Sequence, residues 1–321
     1  MTSKASSRST APSLLMVGLG RMGANMARRL AGNGATIHGY DPSATARAAV
    51  TETSAQFPVT LHERLADAIA ALPAPRMIWL MLPAGTVTRQ TIDLIGPMLD
   101  AGDVVIDGGN ANYLDSQARG TALAAKGVEF VDCGVSGGVW GLQNGYCLMY
   151  GASDGAARMV APLMRLLAVS AEDGWLHCGP VGSGHFVKMI HNGIEYGMMQ
   201  SLAEGFALMA GKADFKLPLG EIGELWRHGS VVRSWLLDLT AQALQDPDAM
   251  NQVAPVVADS GEGRWTIDES MRQGTPAPVI AMALMSRFDS QGKADTGNKL
   301  LALMRKGFGG HPVTGAPKGG H

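Results

Sequence analysis

The 321-residue chain is poor in cysteine: Cys133, Cys147 and Cys178 are its three, and no two stand in a C-x-x-C spacing. Three thiols cannot all pair, which suits a reducing compartment, and nothing in their spacing suggests a metal site. Long apolar runs are missing too. No stretch of 18 apolar residues occurs anywhere, which argues against a membrane-spanning helix. Ser and Thr crowd the first 13 residues beside two basic ones, but no apolar segment follows to make a secretion signal. Nor does charge of one sign dominate. Lys and Arg number 26 against 28 Asp and Glu, so no global field favours nucleic acid or a membrane surface, and small molecules are the expected partners. A cytoplasmic protein is expected, with residues 1–12 disordered. No internal repeat is visible, and the length allows two domains with a core each.

What the chain has instead is an α/β pattern that opens on glycine. The apolar run Ser13 to Val17 leads into Gly18-Leu19-Gly20-Arg21-Met22-Gly23, and Ala24 to Leu30 has helical character. A dinucleotide fingerprint needs strand, tight turn and helix in that order. Its glycines let the backbone touch a pyrophosphate, and the helix N-terminus supplies donors. A second strand, Thr36 to Tyr40, ends at Asp41, 18 residues beyond Gly23. A carboxylate there accepts from the adenosine ribose and repels a 2′-phosphate. Pro42 and Ser43 follow, which favours NAD over NADP, although Arg47 is near and an aspartate before proline also starts turns.

Buried parallel strands are expected at Met77 to Leu82 and Val104 to Ile106. Ligands in such sheets bind beyond the carboxyl ends of strands, which puts Leu82, Pro83, Ala84 and Asn110 beside the cofactor. The Asn110 amide suits either the nicotinamide ribose or a substrate, and a plain turn asparagine would look the same. A strand from Glu129 to Cys133 opens into Gly134-Val135-Ser136-Gly137-Gly138, a donor-rich loop able to hold a carboxylate or hydroxyl. Further strands near Cys147 to Tyr150 and Trp175 to Cys178 flank a helix from Asp154 to Ala168. The fold expected is an α/β Rossmann-type dinucleotide-binding domain, residues 13–180, followed by an all-α C-terminal domain, residues 181–312, for substrate binding and oligomerisation. Residues 313–321 are expected to be a flexible tail.

The second domain opens on the helix that organises the rest, from about residue 182 to 204. At 100° per residue, Lys188, His191, Asn192, Glu195 and Tyr196 share one stripe, and Met189, Ile190, Gly193, Ile194, Gly197 and Met198 take the other side. Each helical glycine costs about 1 kcal/mol relative to alanine, so two of them four apart imply close packing and a polar stripe turned to a cavity. Lys188 and Glu195 are two turns apart, about 10 Å along the axis, a span that fits a short polar substrate. A glycine-rich turn at Asp259 to Thr266 interrupts the helices, Arg287 follows, and the last helix is expected to stop near Arg305-Lys306 before Gly307-Phe308-Gly309-Gly310-His311.

With Gly18 to Gly23, Asp107-Gly108-Gly109-Asn110, Ser136-Gly137-Gly138 and KMIHNGIEYGMMQ from Lys188 in hand, the chain resembles the 6-phosphogluconate dehydrogenases, in their short form, from about residue 13 to 312. The wider β-hydroxyacid dehydrogenase family shares the lysine and an asparagine four residues on, but lacks this His, Glu and Tyr set. The resemblance implies oxidative decarboxylation of a sugar-acid phosphate. Lys188 would be general base and acid, Glu195 the second acid and Asn192 a catalytic neighbour. Asn110, Ser136, Gly137, Gly138, His191 and Asn192 would bind substrate, with Tyr196 and Arg287 at the phosphate. Arg305 and His311 would come from a neighbouring subunit of a homodimer or homotetramer. The protonated lysine is the electrophile, so no metal is required. The chain departs from the long form at Ser260 and Glu262, where that form has lysine and threonine near the phosphate. Two rivals stand beside this expectation: an NAD-dependent dehydrogenase of an unphosphorylated 3-hydroxy acid, which leaves Glu195, His191 and Arg287 without work, and a non-catalytic NAD-binding module.

Overall fold

The computed structural model describes residues 11–53, 55–309, 312 and 314. The chain divides into two compact units, Met1–Met189 and Ile190–His321. The first unit carries strands β1 (Ser13–Val17), β2 (Thr36–Tyr40), β3 (Val59–His62), β4 (Met77–Leu80), β5 (Val104–Asp107), β6 (Glu129–Ser136), β7 (Cys147–Gly151) and β8 (Trp175–Gly179). Between them run α1 (Arg21–Gly32), α2 (Ala44–Thr51), α3 (Leu65–Ala70), α4 (Thr86–Ile95), α5 (Tyr113–Ala124), α6 (Gly141–Asn144) and α7 (Asp154–Leu167).

The eight strands form one sheet in the order β3-β2-β1-β4-β5-β6-β7-β8. Every pairing is parallel except β6 with β7. Side chains alternate between the two faces of a strand, and here both faces are covered. Leu14, Met16, Trp79 and Ile106 join one apolar layer, while Leu15, Val17, Ile78, Leu80 and Val105 join the other. That is why β4 and β5 read as unbroken apolar runs. The strand order reverses between β1 and β4, so the loops after β1, β2, β4 and β5 open toward one edge, where sheets of this kind take ligands.

The elements differ from the sequence expectation in several places, among them β4, which ends at Leu80 rather than Leu82. β3 was not anticipated: it is four half-exposed or exposed residues directly behind Phe57-Pro58, too short to show a period. β6 does not stop at Cys133 but continues to Ser136, because Gly134, Val135 and Ser136 pair with Met149, Leu148 and Cys147 of β7. A partner strand here overrides the low strand preference of glycine. The last helix does not end at Lys306 either, and includes Gly307 and Gly309.

In the second unit the helices are α9 (Leu219–Arg227), α10 (Trp235–Gln245), α11 (Pro247–Asn251), α12 (Glu262–Gln273), α13 (Pro278–Ser290) and α14 (Asp295–Gly309). Glycine weakens a helix but does not forbid it, which is how α14 passes Gly307. The preceding helix, α8 (Ser183–Gly211), is 29 residues long and contains the boundary between the units. Tyr196, Ala283 and Leu284 form a small buried cluster, with Met199, Ile267 and Phe288 packed against it. Among the described residues no helix is long and apolar enough to cross a membrane.

Candidate functional site

The loop from β1 to α1 is shaped by what its glycines avoid. A Cβ on Gly18, whose φ is +93°, would run into the Met81 carbonyl, and one on Gly23 into the Gly18 carbonyl. A Cβ on Gly20 would meet nothing within 4 Å. Gly20 is also the N-cap of α1, extended and with no side-chain cap, so the first amides of that helix lack a side-chain acceptor beside open space. An anion fits such a place, because unsatisfied N–H groups and the helix dipole both favour it. Asp41, at the end of β2, is fixed at the rim: its Oδ2 accepts from the Leu19 N–H and its Oδ1 from the Ser43 N–H, both at 2.8 Å. Each oxygen keeps a lone pair for a ribose hydroxyl. Arg47 donates from Nη1 to the Asp41 carbonyl oxygen at 2.7 Å. Arg21 is exposed, Met22 half-buried, Leu82 half-buried, and Pro83 and Ala84 are exposed. The neighbouring loops touch, since a Cβ on Gly109 would lie 2.7 Å from the Leu82 carbonyl. Exposed Asn110 follows. Asp107 holds that turn, accepting from the Gly109 N–H and from Arg119 Nη1 at 2.8 Å. The open N-terminus, the glycine contacts and the anchored carboxylate together fit a dinucleotide.

Lys188 is also placed within the first unit. It is buried, and Gly134 of β6 makes room for it: a Cβ on Gly134 would collide with Lys188 Cβ. The start of α8 is fastened by Asp132, whose Oδ1 accepts from the Gly182 N–H at 2.6 Å and whose Oδ2 accepts from the His185 N–H at 2.8 Å. Burial pushes the Asp132 carboxyl up despite those donors and His185. The His185 ring is in turn 2.7 Å from Ser116 Oγ through Nδ1. Two residues beyond Gly134 stands half-buried Ser136, followed by Gly137 and Gly138 at φ +132° and +53°. Arg29 of α1 steadies the segment after them, donating to the carbonyls of Leu142, Leu167 and Ala168 at 3.1, 2.9 and 2.6 Å. Asp132, His185, Ser116 and Arg29 were all passed over in the sequence. The polar Asp132 within the apolar run Phe130 to Cys133 was the one visible signal.

On the second-unit part of α8, His191 Nδ1 lies 3.2 Å from Asn192 Oδ1 and 3.9 Å from Glu195 Oε2. Asn192 is buried, and the Glu195 side chain is 39 % exposed. The apolar side of the helix differs from expectation: Ile194 and Met198 are exposed. Its glycines do serve close packing, since a Cβ on Gly193 would lie 2.7 Å from Thr266. Tyr196 is buried, with its hydroxyl 3.4 Å from both Asp259 Oδ1 and Ser260 Oγ. The Arg287 guanidinium lies 3.4 Å above the centre of the Tyr196 ring and donates to the Ala258 carbonyl. Tyr196 and Arg287 are thus brought together. Ser260 Oγ donates to Glu262, the buried first residue of α12. Arg305 is an exposed residue of α14. Among the described residues no hydrogen bond or ion pair joins it to the Tyr196 group, and His311 lies outside those residues.

Comparison with known proteins identifies both parts of the chain. Residues 13–178 match the NAD binding domain of 6-phosphogluconate dehydrogenase, and residues 184–307 match the C-terminal domain of 6-phosphogluconate dehydrogenase. The chain belongs to the 6-phosphogluconate dehydrogenase family. It is 38 % identical over 296 residues to a Bacillus subtilis protein described as a putative 6-phosphogluconate dehydrogenase, covering 92 % of this chain and 97 % of the relative. An NAD(+)-dependent, decarboxylating 6-phosphogluconate dehydrogenase from Haloferax volcanii is 38 % identical over 299 residues, covering 93 % and 97 %. Among solved structures, 6-phosphogluconate dehydrogenase of Plasmodium falciparum superposes with a TM-score of 0.82 at 27 % identity, covering 97 % of this chain and 67 % of that one.

Proposed function

We propose that this member of the family oxidatively decarboxylates 6-phosphogluconate to ribulose 5-phosphate and CO2, with NAD as cofactor. The observation that carries the proposal is the seating of Lys188: buried on β6 over Gly134, with Asn192, Glu195 and Tyr196 following on the same helix. Bound NAD supplies the hydride acceptor for the C3 carbinol. Lys188, as general base, takes the proton of the C3 hydroxyl. The resulting ammonium polarises the C3 ketone, so that the bond to the carboxylate breaks and CO2 leaves. Glu195 then protonates the former C2 of the enediol, which becomes C1 of ribulose 5-phosphate, and substrate covering its half-exposed carboxyl excludes water from that step. Asn110, Ser136, Gly137, Gly138, His191 and Asn192 orient the sugar acid, and Tyr196 and Arg287 receive its phosphate.

The anchored Asp41 carboxylate supports NAD over NADP, because a 2′-phosphate would sit against a fixed negative charge. No metal enters this scheme, since the lysine is both base and electrophile. Residues 13–180 would serve the cofactor, and residues 181–312 the substrate and self-association in the cytoplasm. Arg305 and His311 would complete a neighbour's site. The test is to supply 6-phosphogluconate with NAD and follow NADH and CO2 together. NADH without CO2, or turnover of an unphosphorylated 3-hydroxy acid in preference, would defeat the proposal.

A further inference from the structure

Asp259 in the turn before α12 and Glu262 at the start of that helix put two carboxylates in the neighbourhood proposed for a phosphate dianion. Left alone they would repel it, so the cations around them matter. Glu262 is met by the Ser260 hydroxyl. Asp259 is nearly covered, its side chain 5 % exposed, and it accepts from the Gly261 N–H, the Tyr196 hydroxyl and Arg264 Nε. Burial alone would raise its carboxyl, but Arg264 and the Gly261 N–H hold it below the usual range. Asp259 therefore stays ionised, and Arg264 is the cation that balances it.

Arg264 does more than balance a charge. Its guanidinium carbon lies 4.5 Å from the centre of the Phe288 ring, and its side chain is 51 % exposed. Asp259 engages Nε, on one edge of the planar group, and that contact fixes the plane. With Nε engaged by Asp259, Nη1 and Nη2 remain as a fork of donors matched to two oxygens of one acceptor. The same carboxylate that orients this fork also touches the Tyr196 hydroxyl, and Arg287 covers the Tyr196 ring. Gly263 permits the arrangement, since a Cβ there would lie 2.5 Å from the Tyr196 ring.

We infer that Arg264 is a phosphate-binding, specificity-determining residue. It takes two phosphate oxygens of the substrate through Nη1 and Nη2 while Asp259 holds its other edge, and it supplies the positive charge that Ser260 and Glu262 do not. This rests on 6-phosphogluconate being the substrate. The ion pair with Asp259 makes Arg264 a preset ligand rather than a floating surface charge, and it makes Asp259 its positioning residue.

The experiment compares wild type with Arg264→Ala and Arg264→Lys. It measures kcat and KM for 6-phosphogluconate, then the inhibition constants of inorganic phosphate and of gluconate as competitors for it. For Arg264→Ala, kcat/KM should fall about 10- to 100-fold, the range for a lost hydrogen bond to a charged group, chiefly through KM. The phosphate inhibition constant should rise alongside, and the gluconate constant should stay put. Arg264→Lys keeps the charge without the fork, leaves the turn in place if the larger change disturbs it, and should fall between. An unmoved phosphate constant in both variants overturns the inference, as does a gluconate constant that rises by the same factor as the phosphate constant. Wild type that makes no NADH from 6-phosphogluconate defeats the functional proposal instead, a result distinct from either.

Discussion

The two units bury their apolar residues to very different degrees. In the first, Trp79, Ile78 and Val105 are wholly buried between helical layers, and glycines such as Gly134 are needed because no space is left. In the second, Val231 is 99 % exposed and Leu208 77 %. An open groove of about 560 Å³ there is lined by Ile194, Met198, Leu202, Trp226, Val232 and Ile280. A monomer seldom leaves so much apolar surface uncovered. The first unit has a finished core of its own, whereas the second is built as if a further surface were to cover it, which supports the proposal of self-association.

The largest expected effect tests the finished unit. Lys188→Ala should lower NADH formation by about 10³-fold or more, within the range for losing an acid–base group; near-normal turnover would reject the lysine's role. Its complement tests the unfinished unit. Mixed and exchanged with Arg305→Ala, the same variant should recover up to about a quarter of wild-type activity in a dimer with shared sites, and a fully active monomer would remove the need for a partner. Glu195→Gln should bind 6-phosphogluconate almost normally but turn over about 10²-fold more slowly, read as a fall in kcat at unchanged KM.

A pair of glycine variants contrasts the packing directly. Gly134→Ala forces Lys188 off β6 and should cost about 10²-fold in rate, the scale for misplacing a reacting group by an ångström. Gly197→Ala, whose Cβ would meet only a Val279 methyl at 3.2 Å, should leave kcat within about twofold, because one methyl can shift. Equal losses from the two would erase the distinction between the units. Asp41→Ser should relax the preference for NAD by about tenfold, or 1.4 kcal/mol, measured as the ratio of kcat/KM for the two cofactors.

The smallest effect is a pH slope in the first unit. His38 Nδ1 lies 2.8 Å from His62 Nε2 across β2 and β3, and burial, with His62 second, lowers the His38 pKa from its ordinary 6.5. The folded chain then binds this proton less readily than the unfolded chain. The stabilising contribution is whole above 6.5 and drains away as pH falls below 6.5 toward the depressed value. His38→Gln should flatten the drop in melting temperature between about pH 7.5 and 5.5; an unchanged slope would assign it elsewhere.

Much of the first unit was readable because its signals are local. Apolar runs marked β1, β4 and β5, and the glycines at 18, 20 and 23 marked the cofactor turn. What stayed hidden depends on partners distant in the chain. Gly134 to Ser136 become strand only through β7, and Asp132 gains its role from amides 50 and 53 residues away. Arg264 and Asp259 are neighbours in sequence, yet their meaning comes from Tyr196 and Phe288 on other helices. The helical stripe from Lys188 to Tyr196 was legible as a period, but the exposure of Glu195 was not, because a period does not say what covers a residue.

The reach of Arg29 sets a rule for anyone re-engineering cofactor choice. Transplanting the segment from β1 through β2 out of an NADP-preferring relative looks like a self-contained exchange. It is not, because α1 is also the clamp on two distant turns: Arg29 serves the carbonyls of Leu142, Leu167 and Ala168, and Asn33 that of Leu166. A graft without Arg29 takes donors from the buried Leu167 and Ala168 carbonyls at about 1–3 kcal/mol each, while the exposed Asn33 contact adds less, and together these consume much of a domain's margin. The exchangeable cassette therefore includes residues 29 and 33 as fixed positions, whatever is altered at residue 41.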